Sequence, residues 1–139
     1  MVQVALLKWE DAEPVAAPIR FAIFVEQPEA NGIELDELDR DSVHAVAYDD
    51  HRKPIGTARL LPDGQVGRMA VIKEWRRRGV GAALLEALTD EARKRGYPSL
   101  VLSAPLQAAE FYRNQGFVAE GKVQKIDGGL QQAMRKPLA

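Results

Sequence analysis

Arg76-Arg77-Arg78-Gly79-Val80-Gly81-Ala82 falls between an apolar, β-rich run and an amphipathic helix, and its reading decides the fold. Gly79 and Gly81 let the backbone pass close to a bulky ligand. The helix that follows turns its free N–H groups and the positive end of its dipole back toward the loop. Three arginines add full charges, so the loop is suited to holding phosphates. In the helix itself Gly81, Leu84, Leu85, Leu88 and Ala92 recur on one face, with Glu86, Thr89, Asp90, Arg93 and Lys94 away from it. Gly96 ends this helix and Pro98 prevents its resumption.

Upstream, Val2 to Trp9 reads as a first strand. Asp11 is a candidate cap for a helix through Phe24, with Pro14 near its first turn; Pro18 disturbs that helix and moves its expected start toward residue 18. Pro28, Asn31 and Gly32 mark a break. Strands are expected at Val43–Tyr48, Pro54–Leu61 and Gln65–Val71, joined by the polar turn Asp49–Arg52 and by Pro62-Asp63-Gly64. These make an antiparallel meander. Downstream, Ser99–Ser103 reads as a buried strand, Leu106–Gln115 as a shorter helix, and Phe117–Lys125 with Leu130–Lys136 as a last strand pair around Asp127-Gly128-Gly129. The order predicts a mixed α/β domain spanning residues 1–139, with most strands in one sheet.

Composition narrows the function classes. The 139 residues are 46% hydrophobic and 28% charged, with 19 basic and 20 acidic side chains and a net charge of −1. That balance argues against a general nucleic-acid or membrane-surface binder. No cysteine is present, which excludes disulfides, thiolate metal sites and a cysteine nucleophile. With only His44 and His51 as imidazoles, a histidine zinc site is not expected, and no metal is. No apolar run approaches the ~20 residues that span a bilayer, and no signal peptide is evident. A cytoplasmic location is the expectation.

The loop matches neither common phosphate motif. It lacks the Gly-Lys-Ser/Thr ending of a P-loop. It also lacks the third glycine, and the βαβ setting, of a dinucleotide fingerprint. Taken alone, it admits a plain alternative in which the glycines shape a turn and the arginines are solvated.

The rest of the chain carries a resemblance. Arg76-x-x-Gly79-x-Gly81 at the head of a central helix resembles the Arg/Gln-x-x-Gly-x-Gly/Ala motif of the GCN5-related N-acetyltransferase (GNAT) superfamily. Val66-Gly67-Arg68-Met69-Ala70-Val71 is similar to the strand before it, and Phe111-Tyr112-Arg113-Asn114-Gln115-Gly116-Phe117 to the family's Phe-Tyr-x-x-x-Gly-Phe. Phe24-Val25-Glu26-Gln27, Asp36-Glu37-Leu38-Asp39 and Gly56-Thr57-Ala58-Arg59-Leu60-Leu61 resemble a bacterial subgroup related to the ElaA and YjcF proteins. The resemblance implies a single GNAT-type domain. Its mostly antiparallel twisted sheet would have roughly six to seven strands, flanking helices and a splayed central strand pair that holds the cofactor.

It also implies acetyl transfer from acetyl-CoA to a primary amine of a small molecule or peptide, without a covalent enzyme intermediate. Backbone N–H groups of Arg77, Arg78, Gly79, Val80, Gly81 and Ala82 are expected at the pyrophosphate, with Arg76 to Arg78 in reach of the ribose phosphate. The backbone of Met69 and Val71 is expected along the pantetheine arm, and an N–H of Met69 or Ala70 at the developing oxyanion. Tyr112 is the expected general acid, since a phenol of pKa near 10 stays protonated at neutral pH; Phe111 is expected to pack. Glu26 is a candidate base.

Glu34, Asp36, Glu37, Asp39 and Asp41 either draw a cationic acceptor by charge or form a solvated acidic loop. His44 reads as a satisfied strand histidine and His51 as an exposed turn residue. Where subgroup members carry histidines, this chain carries Gln107 and Gln131, which cannot shuttle protons. That departure keeps a non-catalytic acyl-CoA sensor in view. A nucleic-acid domain built on Lys73 and Arg76 to Arg78 is disfavoured by net charge and by 6% aromatics. Dimers are common in the superfamily, so a homodimer stays open by analogy.

Overall fold

Short polar turns fold the first half of the chain onto itself. At one, Asp49 Oδ1 accepts from the His51 and Lys53 N–H groups at 2.8 and 2.9 Å. At the other, Asp63 Oδ1 accepts from Gln65 N–H at 2.9 Å. Such Asx turns substitute a side-chain oxygen for a backbone one. They connect β2 (Val43–Tyr48), β3 (Pro54–Leu60) and β4 (Val66–Val71), and β1 (Gln3–Leu7) adds to the β2 edge, giving an antiparallel sheet β1-β2-β3-β4. The computed structural model describes residues 2–26, 35–126 and 129–138, without the side chains at 24–26.

Between β1 and β2 runs α1 (Trp9–Glu26), which contains both Pro14 and Pro18. The helix therefore begins well before the start expected near residue 18. Each proline deletes one helical N–H donor, but the two stand four residues apart and both are exposed. The residues whose carbonyls lose a donor, Glu10 and Pro14, are themselves exposed, while Ala12, Ala16, Ile19, Arg20 and Ile23 form the buried stripe.

After β4 come a 3₁₀ turn at Lys73–Trp75, α2 (Val80–Lys94) and β5 (Ser99–Pro105). A 3₁₀ turn at Leu106–Ala108 and α3 (Ala109–Asn114) follow, so the expected second helix is shorter and preceded by a tighter turn. The chain then forms β6 (Val118–Ala119), β7 (Gln124–Ile126) and β8 (Gly129–Pro137). The expected strand from Phe117 to Lys125 is thus two short ones. Between them, the buried Gln132 amide of β8 donates to the carbonyls of Glu120 and Gly121, each at 3.2 Å, and takes the place of a ladder bond. Thr89, expected on the solvated face of α2, is buried and donates its hydroxyl to Leu85 O at 2.7 Å.

The described residues form two four-stranded sheets rather than one dominant sheet. The second has β8 at its centre, paired antiparallel with β5, β6 and β7. The two meet through a parallel bridge, Gln65 to Val101, and the Val101 N–H donates to Gly64 O at 3.0 Å. Beyond that seam β4 and β5 diverge.

The main core lies beneath α2, where Val80, Leu84, Leu85, Leu88 and Ala92 pack on Ala45, Ala47, Ile55, Ala58, Leu60, Leu100 and Met134. Small side chains on β2 and β3 bring α2 close. A Cβ at Gly56 would stand 2.9 Å from Val80 Cγ1. On the other face of the first sheet α1 sets Ile19 and Ile23 against Ala70.

Candidate active site

Past the seam, β4 and β5 enclose a cleft of about 530 Å³, lined in part by Arg59, Arg68, Met69, Ser103, Phe111 and Tyr112. Two irregularities shape its β4 wall. The β3–β4 register slips between Thr57 and Arg59, and Arg68 takes a left-handed φ of 53°. Such a bulge bends a strand and re-aims its groups. Further along, Ile72 N–H bonds Ile55 O at 3.0 Å, so strand alternation turns the N–H and C=O of Val71 away from β3, toward the open side. Ala70 points its N–H back to β3 by the same alternation, and its side chain is buried under α1. That geometry turns the Ala70 N–H away from the cleft.

The loop beyond β4 holds the first-read motif. Arg76 Nε donates to the outward Val71 carbonyl at 3.0 Å, which ties the loop to the strand end. Arg77 is exposed at a φ of 61°. Arg78 lies 3.9 Å over the Trp75 ring and donates to Glu74 O at 3.3 Å. Two of the three arginines thus have structural tasks.

Gly79 is the N-cap of α2 at a φ of 83°, with no side-chain cap, which leaves the first N–H groups of the helix free of a capping side chain. A Cβ there would meet nothing within 4 Å, so backbone conformation, and not crowding, selects glycine. Gly81 is different: a Cβ would stand 3.2 Å from Phe111 Cζ. Phe111 packs as expected, and against the loop itself. The Val80 side chain is buried in the core, so only its backbone can serve a ligand. Ala82 is half-buried in the first helical turn.

Tyr112 enters the cleft from α3. Its ring meets Phe111 and Phe117 edge-on at centroid distances of 5.0 and 5.8 Å, and its hydroxyl donates to Met69 Sδ at 3.8 Å. Burial pushes the phenol above its ordinary value of 10.0, so it carries its proton at neutral pH. A thioether is a weak acceptor, and the hydroxyl gives up little by re-aiming.

Behind the cleft lies a charge cluster whose acidic members the sequence suggested would be solvated or substrate-facing. Asp39 is instead fully buried. Its carboxylate accepts two N–H bonds from Arg20, both at 3.1 Å, one from Arg59 at 3.1 Å, and one from Asp36 N–H at 3.0 Å. Asp36 caps the 3₁₀ turn Glu37–Asp41, accepts from Arg59 at 2.7 Å and from Arg68 at 2.6 Å. Burial pushes the Asp39 carboxyl up, but the Arg20 bonds, the Asp36 N–H, the Arg20 charge and the Arg59 bond outweigh it and hold it below 3.8. Glu37 and Asp41 are exposed; Glu34 lies outside the described residues.

His44 is a fully buried strand residue, as expected, with Nε2 2.8 Å from Asp39 O. Burial pulls its pKa below 6.5, the Asp39 bond opposes this, and the Arg20 and Arg59 charges add to the lowering. His51 is exposed. Glu26 is the last residue of α1, and its side chain lies outside the described residues. Gln107 is exposed, and Gln131 Oε1 accepts from Ser103 Oγ at 3.0 Å. Arg59, Arg68 and Ser103 had no assigned role in the sequence reading. An arginine in the otherwise apolar run Pro54–Leu61, with an acidic segment upstream, was the available signal.

Among the described residues no group of three or more histidine or carboxylate side chains could hold a metal ion, and no helix is long and apolar enough to cross a membrane.

A divergent strand pair running into a glycine-headed helix, with a tyrosine across the cleft, defines a class of acyl-group transferases. The family model for the acetyltransferase (GNAT) domain matches residues 16–138. The chain belongs to this family and is an N-acyltransferase enzyme. It is 32% identical over 133 residues to YjcF of Bacillus subtilis, an N-acetyltransferase described as uncharacterised, covering 93% of this chain and 94% of that one. A crystal structure of a protein from Lactobacillus plantarum superposes with a TM-score of 0.87 at 28% identity, over 99% of both chains. Escherichia coli ElaA shares the fold, with a TM-score of 0.80 at 22% identity over 98% of this chain and 99% of that one.

Proposed function

We propose that this chain, as one domain, transfers an acetyl group from acetyl-CoA directly to a primary amine of a small molecule or peptide. The observation that carries the reading is the cleft between β4 and β5, with Tyr112 in its wall and with Gly81 of α2 packed beside its lining residues Phe111 and Met69. The loop fits a pyrophosphate: Gly79 leaves open space at its surface and α2 has no capping side chain. Free backbone N–H groups from Arg77 to Ala82 hold the diphosphate, with the exposed Arg77 the freest of the three arginines to reach a ribose phosphate. Val71 and Met69 offer main-chain groups to the pantetheine arm, as a strand edge does to a peptide.

The bound thioester supplies an activated acetyl group. Met69 N–H stabilises the charge that develops on the carbonyl oxygen. Tyr112 gives its proton to the departing sulfur as the C–N bond forms and the C–S bond breaks. The amine sheds one proton before attack and one after it, and one of the two replaces the Tyr112 proton. No cysteine exists to carry a covalent intermediate.

The alternative reading, an acyl-CoA sensor, draws on the glutamines at 107 and 131. A thiol-release assay with acetyl-CoA over a panel of amines separates them. Amine-dependent release supports the enzyme. Thermal stabilisation by acetyl-CoA with no thiol released from any amine would leave only the sensor.

A further inference from the structure

The cleft wall carries two groups ionised at neutral pH among the described residues, and both are cations: Arg59 and Arg68. Among the described residues no carboxylate lines it. Arg59 is only 3% exposed. Both of its hydrogen bonds leave from Nη1, to Asp36 Oδ1 and Asp39 Oδ1. Its buried Nε therefore has no acceptor among the described residues, and neither has Nη2. The N–H groups of Nε and Nη2 form one edge of the guanidinium, the edge that matches the two oxygens of a carboxylate.

A buried charged donor without an acceptor is costly, and the cost is relieved when a ligand brings one. The two aspartates hold the guanidinium in place, so little freedom is lost on binding. Arg68 lines the same cleft beside it, and Ser103, Met69 and Tyr112 complete the wall. Among the described residues, a polycationic acceptor, such as a polyamine, would face two guanidiniums and no lining carboxylate.

We propose that the acceptor is an amine that also carries a carboxylate, an amino-acid-type substrate. Arg59 takes the carboxylate on its Nε–Nη2 edge with Arg68 beside it, and the amine lies toward Tyr112. This specificity rests on the acetyl-transfer reading, and the test separates the two.

Each proteinogenic amino acid is compared with its decarboxylated amine in acetyl-CoA-dependent thiol release by the full chain. In at least one pair the acid is favoured by ~10²-fold or more in kcat/KM, mainly through KM, because the amine alone leaves the guanidinium edge unmatched. Arg59→Lys keeps the charge but removes the fork and brings that ratio toward one; Arg68→Gln, at a half-buried position, is the second variant, and melting curves check that each folds. Equal turnover within every pair, or preference for the decarboxylated member, overturns the carboxylate site and leaves acetyl transfer standing. If every member of the panel is silent, the site is judged by melting temperature with saturating CoA. A rise with an amino acid but not with its decarboxylated amine supports the site; equal shifts, or none, overturn it.

Discussion

Asp39→Ala tests the charge cluster most directly. In the native protein one buried carboxylate accepts from Arg20 twice, from Arg59 once and from the Asp36 N–H. Its removal leaves Arg20, only 2% exposed, without its carboxylate partner, and leaves Arg59 with Asp36 alone. Breaking a buried ion pair by deleting one partner costs about 3–5 kcal/mol, because the remaining charge stays desolvated. Against a typical stability of about 5–15 kcal/mol, that is a large fraction. With a urea slope of about 2 kcal/mol per molar, the midpoint falls by roughly 2 M. Arg20→Met combined with Asp39→Ala should cost less than the sum of the two, with a coupling of about 1–3 kcal/mol. A loss under about 1 kcal/mol, or strict additivity, would refute the view that these charges are interdependent.

The acid profile carries a second signature of the same cluster. The folded Asp39 value lies below 3.8, so the unfolded chain protonates first. The Asp39 contribution is full above 3.8 and is lost as pH falls through the folded value. His44 is held below 6.5, so the unfolded chain again binds the proton first and stability starts to decline as pH drops below 6.5. Urea midpoints measured against pH should show both arms, and Asp39→Ala should flatten the lower one while deepening the upper, because the Asp39 charge no longer supports a protonated His44.

Tyr112→Phe should lower kcat by ~10²–10⁴-fold with acetyl-CoA affinity little changed; undiminished turnover in a thiol-release assay would remove the tyrosine from the acid role. Because burial raises the phenol above 10.0, wild-type rates should show no fall attributable to Tyr112 as pH rises to about 10. Gly79→Val places a β-branched residue at a φ of 83°, which costs about 1–2 kcal/mol and projects a side chain over the helix end. Isothermal titration should find acetyl-CoA binding weakened at least tenfold, and unchanged affinity would undo the phosphate-loop assignment.

The meander, α2 and the order of the later elements were legible because apolar period and turn chemistry agree there. Asp49 and Asp63 form their Asx turns, and Gly96 closes α2 at a φ of 76°. Pro14 and Pro18 misled because proline acts locally while the buried stripe from Ala12 to Ile23 acts over the whole helix. One dominant sheet was expected because strand periodicity contains no information on how neighbours splay. The loop motif at the head of α2 and Tyr112 were legible as sequence motifs, and Tyr112 lies in the cleft wall. Arg59, Arg68 and Asp39 were not, since their pairing joins residues far apart in sequence and a charged residue in a strand gives no sign of its partner. The acidic segment looked solvated for the same reason: exposure was read from composition, whereas three guanidiniums arriving from α1, β3 and β4 determined it.

The seam between the sheets works as the pivot of a pair of calipers. Gly64, at a φ of 93°, lies so near β5 that a Cβ would stand 2.7 Å from Ser99 O, and that contact holds the two arms at a fixed separation on one side. On the far side nothing in the backbone ties β4 to β5, so a small rotation at the pivot becomes a larger displacement at the jaws. The width of the cleft is thereby gauged in part at Gly64 and Ser99, which do not line it.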